Sequence, residues 1–276
     1  FIPNRYVWFL VHYFISLSMI KALLRTRFTG LIYHNWFKII FVFIAGQGAV
    51  QFVQLLSGFF LIHWLSVEDY AQYSIAFAFQ STAQVLVELG VSGSVVALVG
   101  NRVNDKAVLG KYIKGGKFFR NRMFFVVSVI CLIGFPYMTW QHGWPIHITV
   151  FLLICILLNL FFSGNTAFYI TPLMIHRKLK DIYNIQLTSG VCRLIFLWTV
   201  YLLSIINSWI AALTTCLTVF YNGERFRKKS KEFIDEPVES DPETRKEILN
   251  YVKPVIPGII YSAFSAQISL FIIGIF

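Results

Sequence analysis

The chain has 276 residues, 57% hydrophobic and 17% aromatic but only 13% charged, whereas a soluble domain carries roughly 25% charged residues. That balance excludes an ordinary soluble fold. The net charge of +11 does not indicate nucleic acid, because the basic residues sit at the ends of apolar runs and are not gathered on one polar module.

The first stretch, Tyr6–Ile20, is apolar but short for a span, and Lys21, Arg25 and Arg27 follow it without a small-residue cleavage site. Residues 1–36 therefore read as a cytoplasmic or interfacial segment, with everything before Met19 a candidate non-native leader. A membrane helix needs ~20 mostly apolar residues to cross a ~30 Å core. Seven runs meet or approach this: 37–65, 70–100, 119–140, 146–172, 182–203, 208–222 and 254–276. Gly46 and Gly48 in the first, and Gly90 and Gly93 in the second, mark bends or close packing. Trp64, Tyr70, Trp140, Trp144 and Trp209 fall at one set of span ends, and Tyr33, Trp36, Tyr183 and Tyr221 at the other, as interfacial aromatics do. Residues 224–253 are the long polar segment. It opens basic, turns acidic through Glu232, Asp235, Glu236 and Glu239, and reads as a solvated cytoplasmic linker.

The charge pattern orients these spans. Lys and Arg occupy every second polar break: up to Lys38, 101–122, 176–181 and 223–253. The breaks at 66–69, 141–145 and 204–208 hold none. Basic residues beside short loops stay in the cytoplasm, so the N-terminus is expected inside, with the anionic inner leaflet as the partner of the basic ends. Of the 24 Lys and Arg residues only Arg193 falls inside an apolar run. Cys131, Cys155, Cys192 and Cys216 also lie in apolar runs without CxxC spacing, and read as small buried hydrophobes.

Polar residues inside the spans carry the functional information. Gln47, Gln51, Gln54 and Gly58 share one helix face; so do Gln80, Gln84, Glu88 and Ser92. The fourth span carries Asn159, Ser163, Asn165 and Thr166; the fifth Gln186, Ser189, Gly190 and Arg193; the seventh Gly258, Ser262, Ser265 and Ser269. Lipid cannot satisfy such groups, so these faces turn to protein or to a water-filled cavity. Packing explains a Ser/Gly stripe. Three glutamines on one face favour a cavity, here one common to both Gln stripes. Glu88 and Arg193, counted along uninterrupted helices from Arg102 and Lys180, fall at similar depth with opposite sign. An ion pair and a ligand site are both open. No HExxH or GxxxxGK(S/T) pattern occurs, so neither an enzyme nor a cofactor is expected.

Three short motifs resemble a known family. Leu65-Ser66-Val67-Glu68-Asp69-Tyr70-Ala71-Gln72-Tyr73 resembles the Leu-Ser/Gly-x-Glu-x-Tyr/Phe-Gly-x-Tyr turn of polysaccharide flippases in the multidrug/oligosaccharidyl-lipid/polysaccharide exporter superfamily, with Ala71 in place of the usual glycine. Glu88-Leu89-Gly90-Val91 resembles the acidic-Leu-Gly-Leu element late in their second span, and Lys253-Pro254-Val255-Ile256-Pro257 the basic-Pro-x-x-Pro entry to their seventh. The resemblance covers 37–276. It implies an all-α, polytopic transmembrane bundle: a six-helix lobe over 37–223, a cytoplasmic inter-lobe linker over 224–253, and at 254–276 the first helix of a truncated second lobe. It also implies alternating-access transfer of an undecaprenyl-diphosphate-linked oligosaccharide between leaflets of the bacterial cytoplasmic membrane, with a coupling cation. Gln47, Gln51, Gln54, Gln80, Gln84, Glu88 and Arg193 are the expected cavity residues. The alternatives are an organic-cation antiporter of the same superfamily, which would favour several cavity carboxylates, a glycan-modifying membrane enzyme, which would want a large outer loop, and a membrane scaffold.

Overall fold

A computed structural model of the chain describes residues 30–100, 102, 105–234 and 241–275, with side-chain environments between 40 and 265. Tyr6–Ile20, Met19, Asp235, Glu236, Glu239 and the side chain of Ser269 lie outside the described residues. Two units are distinguished, Phe1–Ala45 and Gly46–Phe276. Of the first, residues 30–45 are described, as the opening of a helix whose Phe41, Phe43 and Ile44 are exposed. The second is a helical bundle.

The helices are α1 (Gly30–Trp64), α2 (Val67–Glu88), α3 (Val91–Val99), α4 (Lys106–Gln141), α5 (Ile146–Ile175), α6 (Leu179–Leu202), α7 (Ser208–Ser230), α8 (Pro242–Val252) and α9 (Ile256–Ile275). A single 3-10 turn, Lys231–Phe233, follows α7, and no strand occurs among the described residues. Local signals set several starts. Ser66, Asp105, Asn207 and Asp241 each accept a backbone N–H from the first turn of α2, α4, α7 and α8.

The second span is not the uninterrupted helix expected over 70–100. Leu89 (φ 40°) and Gly90 (φ 70°) both take the left-handed conformation, so α2 ends and α3 restarts at once. The Leu89 N–H still reaches Val85 O at 2.9 Å, and Ser94 N reaches Gly90 O at 3.1 Å. Burial of Leu89 among Val91, Val95 and Val99 accompanies the turn. The third span extends well before residue 119, because Leu109, Tyr112, Ile113 and Gly116 form an apolar face at three- and four-residue spacing that packs inward. The sixth continues to Ser230 for the same reason, through Gly223, Phe226 and Ser230.

Among the described residues, five helices are long and apolar enough to cross a membrane: Ile40–Trp64, Val67–Val99 with its break, Lys106–Gln141, Ile146–Ile175 and Leu179–Leu202. Helix α7 is less apolar, with Thr214, Thr215 and Thr218 in its middle and basic residues in its last turn. Side chains such as Phe52, Leu55 and Phe59 on α1, Phe125 and Ile133 on α4, and Ile195 on α6 are each more than half exposed. Water does not tolerate so continuous an apolar surface, whereas acyl chains do. The chain is a multi-pass helical membrane protein by the length and composition of these helices.

Four buried clusters hold the bundle among the described residues, and two of them are larger than the others. Ala83 and Val87 of α2 meet Val127, Cys131 and Phe135 of α4 and Leu152, Ile156 and Leu160 of α5. At the other end, Val91, Val95 and Val99 of α3 meet Leu109 and Ile113 of α4, Phe168 of α5, and Ile248 and Val252 of α8. Residues 242–252 of the polar segment are therefore a docked amphipathic helix. Tyr112 Oη donates to Glu247 Oε2, Lys111 Nζ lies 3.6 Å from Asp241 Oδ2, and the Arg245 guanidinium lies 4.3 Å from the centre of the Phe118 ring.

Candidate functional site

Helices α1, α6 and α7 line an open polar cavity of about 250 Å³, at which Gln51 and Gln54 are exposed. Gln47, Gln51, Gln54 and Ser57 line it from α1, with four- and three-residue steps that keep them on one face. Gln186, Ser189, Gly190 and Arg193 line it from α6, and Thr215, Thr218 and Asn222 from α7. The spacing between the first two helices has a local cause. A β-carbon on Gly190 would lie 2.8 Å from Val53 Cγ1, so glycine alone admits this approach. Beyond the cavity, Trp64 stacks on Tyr201 with ring centres 4.5 Å apart, and Phe60 meets Trp198 edge to face at 6.4 Å.

The lining chemistry is mixed donor and acceptor. Thr218 Oγ1 donates to Thr214 O at 2.8 Å, and Thr215 Oγ1 to Ala211 O at 3.1 Å. Each hydroxyl spends its hydrogen on its own helix and leaves its lone pairs as acceptors. The glutamine amides supply both functions. Two atoms of lining residues, Arg193 Nε and Asn222 Oδ1, are buried without a partner. Among the described residues no carboxylate lines the cavity.

Arg193 is the cavity's cation. Its Nη2 donates to Tyr73 Oη of α2 at 3.1 Å. That contact overturns the matched depth of Glu88 and Arg193. Arg193 is level with Tyr73, fifteen residues before Glu88 and so ~22 Å from it along α2. Glu88 instead accepts a hydrogen bond from Ser92 Oγ across the α2–α3 break, and no ion pair joins it to Arg193. Counting depth from Arg102 and from Lys180 therefore does not place the two charges together.

The other α2 residues also part company with the cavity. Gln80 lines a separate, much smaller cavity with Tyr73, Ala76, Phe77, Cys155 and Thr215, of about 10 Å³ and so near the lower limit for one water. Gln84 and Glu88 line neither cavity. The structure thus brings together Gln47, Gln51, Gln54 and Arg193, and sets Gln80, Gln84 and Glu88 apart. Thr215 lines both spaces and is their common wall.

Sequence reasoning passed over three sets of residues. The α7 contribution, Thr215, Thr218 and Asn222, was legible as a three- and four-residue stripe, but threonine is commonplace in membrane helices. Tyr73 carried no signal of contact with Arg193. Arg120 was counted with the cytoplasmic charges, yet it is fully buried. Its Nη1 donates to Asn121 Oδ1 at 2.9 Å and Asn165 Oδ1 at 3.3 Å, and its Nη2 to Leu160 O at 3.2 Å and to Phe161 O. The polar stripe of α5 therefore serves, at Asn165, a cation from α4. Among the described residues no group of three or more His, Cys, Asp or Glu side chains is placed to hold a metal.

Comparison of the chain with protein-family models, with curated proteins and with solved structures finds no match.

Proposed function

We propose that this protein carries a lipid-linked oligosaccharide, on an undecaprenyl-diphosphate carrier, from the inner to the outer leaflet of a bacterial cytoplasmic membrane. One observation carries the reading: a polar cavity that, among the described residues, has a single cation and no carboxylate, walled by helices whose other faces are apolar. A glycan head group is too polar for hydrocarbon. Glutamine amides and threonine hydroxyls match sugar hydroxyls as both donors and acceptors. The fork of Arg193 matches a phosphate, where two parallel N–H···O bonds form. The apolar carrier tail stays among acyl chains. The motifs around Ser66–Tyr73, Glu88–Val91 and Lys253–Pro257, which resemble those of polysaccharide flippases, point the same way. Access alternates as helix groups rock about the site, with the N-terminus cytoplasmic and a cation supplying the driving force.

Reconstitution tests this reading. The protein is placed in liposomes with a fluorescent polyprenyl-diphosphate oligosaccharide, and a lectin reports glycan in the outer leaflet. Transfer faster than in protein-free liposomes, and slowed by Arg193→Gln, is expected. A folded protein that leaves the rate unchanged, or that moves a lipophilic organic cation instead, refutes it.

A further inference from the structure

Tyr73 stands where three helices meet. Its ring is 9% exposed and packs with Leu61, Leu65, Leu197 and Ala211. It also stacks on Phe77, with centroids 6.1 Å apart. Its hydroxyl has two polar neighbours, Arg193 Nη2 at 3.1 Å and Thr215 Oγ1 at 3.4 Å.

The direction of these bonds follows from counting hydrogens. Thr215 owns one hydroxyl hydrogen and gives it to Ala211 O at 3.1 Å. Its oxygen is therefore the acceptor, and the Tyr73 O–H is the donor. The Tyr73 oxygen then keeps its lone pairs for Arg193, whose guanidinium can only donate. The result is a one-way chain from Arg193 through Tyr73 and Thr215 to the backbone of α7. Each link polarises the next and strengthens it.

What this chain leaves open matters as much. Tyr73 Oη is the one hydrogen-bond partner of Arg193 among the described residues, and Nε is buried without one. A neutral acceptor orients the guanidinium without cancelling its charge. A carboxylate in the same place would do both.

Resting on the transport reading above, we propose that Tyr73 is a positioning residue, whose hydroxyl holds the Arg193 guanidinium with its remaining donors free for a pair of phosphate oxygens. The phosphate chemistry belongs equally to free pyrophosphate and to the diphosphate of a lipid carrier. A flexible, unanchored arginine would lose rotamer freedom on binding; an anchored one has already lost it.

The test uses the whole protein in detergent micelles, titrated with inorganic pyrophosphate and followed by intrinsic tryptophan fluorescence. Tyr73→Phe removes the hydroxyl and keeps the ring contacts. It is expected to weaken pyrophosphate binding on the order of tenfold while the protein keeps a cooperative thermal unfolding transition. Arg193→Gln should abolish binding, and adding Tyr73→Phe to it should change nothing further, because the tyrosine acts only through the arginine. Three results overturn the proposal: wild-type affinity in Tyr73→Phe, a wild-type protein that does not bind pyrophosphate, or additive losses in the double variant measured with a longer polyphosphate. The lipid-linked arm separates the two readings. Pyrophosphate binding that depends on Tyr73, without transfer of the lipid-linked glycan, removes the transport reading and leaves the positioning role. Transfer that is indifferent to Tyr73→Phe does the reverse.

Discussion

Arg120 lies against Gly164, where a β-carbon would fall 2.5 Å from Arg120 Nε and 2.8 Å from Nη2. The missing side chain is what lets a full guanidinium lie flat on helix α5. There it meets two amide oxygens and two backbone carbonyls, and the rings of Phe124 and Phe161 lie 5.4 and 5.3 Å from its centre. No carboxylate shares the site among its hydrogen-bond partners. Its two terminal nitrogens are satisfied by neutral acceptors, while Nε is buried without a partner.

Gly164→Ala should therefore push the guanidinium off α5 and cost about 1–3 kcal/mol. Arg120→Lys should cost a similar amount, since an ammonium cannot span acceptors arranged for a planar fork. Thermal unfolding in detergent checks both. An unchanged midpoint in Gly164→Ala would show that the helices part without penalty and that the contact is unimportant.

Asp69 ties two helix starts together. Its Oδ1 accepts Ser208 N of α7 at 3.0 Å, and its Oδ2 accepts Ser66 Oγ, the cap of α2, at 2.7 Å. Asp69→Ala should lower stability by about 2 kcal/mol, roughly one cap's worth for each helix. Asp69→Asn keeps an acceptor for Ser208 N and should lose less than half as much. Equal losses in the two variants would make charge, and not the shared acceptor, the cause.

Gly90 carries φ 70°, and a β-carbon there would lie 2.9 Å from Ile259 Cδ1 of α9. Gly90→Ala meets both backbone strain and this clash, and should cost ~1–3 kcal/mol. Ile259→Val, which shortens the opposing side chain, should restore part of the loss and leave the backbone part. Full restoration by that second change would show that the left-handed conformation itself carries no penalty here.

Lys114 and Lys228 are both exposed and sit on basic segments, whereas His142 lies on an exposed turn between α4 and α5. In a cysteine-free background, Lys114→Cys and Lys228→Cys should resist an impermeant thiol reagent applied outside intact cells. His142→Cys should react. The reverse pattern would invert the orientation read from charge.

Asp241 caps α8, accepting Thr244 N at 2.8 Å. Hydrogen bonds from Thr244 hold its carboxyl below the ordinary 3.8, with Lys111 adding to the effect. A depressed carboxyl contributes fully above its unfolded value, and the contribution is lost as pH falls through the folded one. Hydrogen-exchange protection at Ile248 and Leu249 should therefore hold at neutral pH and decline only below about pH 4. Asp241→Asn, which keeps the cap without titrating, should flatten that decline. A decline that survives in Asp241→Asn would assign it to another group.

Composition and periodicity by themselves determined that this chain is helical and membrane-embedded, and they set out the glutamine face of α1. These follow from quantities local to one segment: its length, its hydropathy and the 3.6-residue period that fixes angles within a helix. The period does not fix how one helix is rotated or raised against another. Packing alone decided that Gln47, Gln51 and Gln54 meet Arg193 and not Glu88, since the glycine at 190 sets the approach of α6 to α1. Arg120 shows the same limit. Its place beside a run of bases matched a cytoplasmic charge, and only the bare backbone of Gly164, forty-four residues away, took it inside.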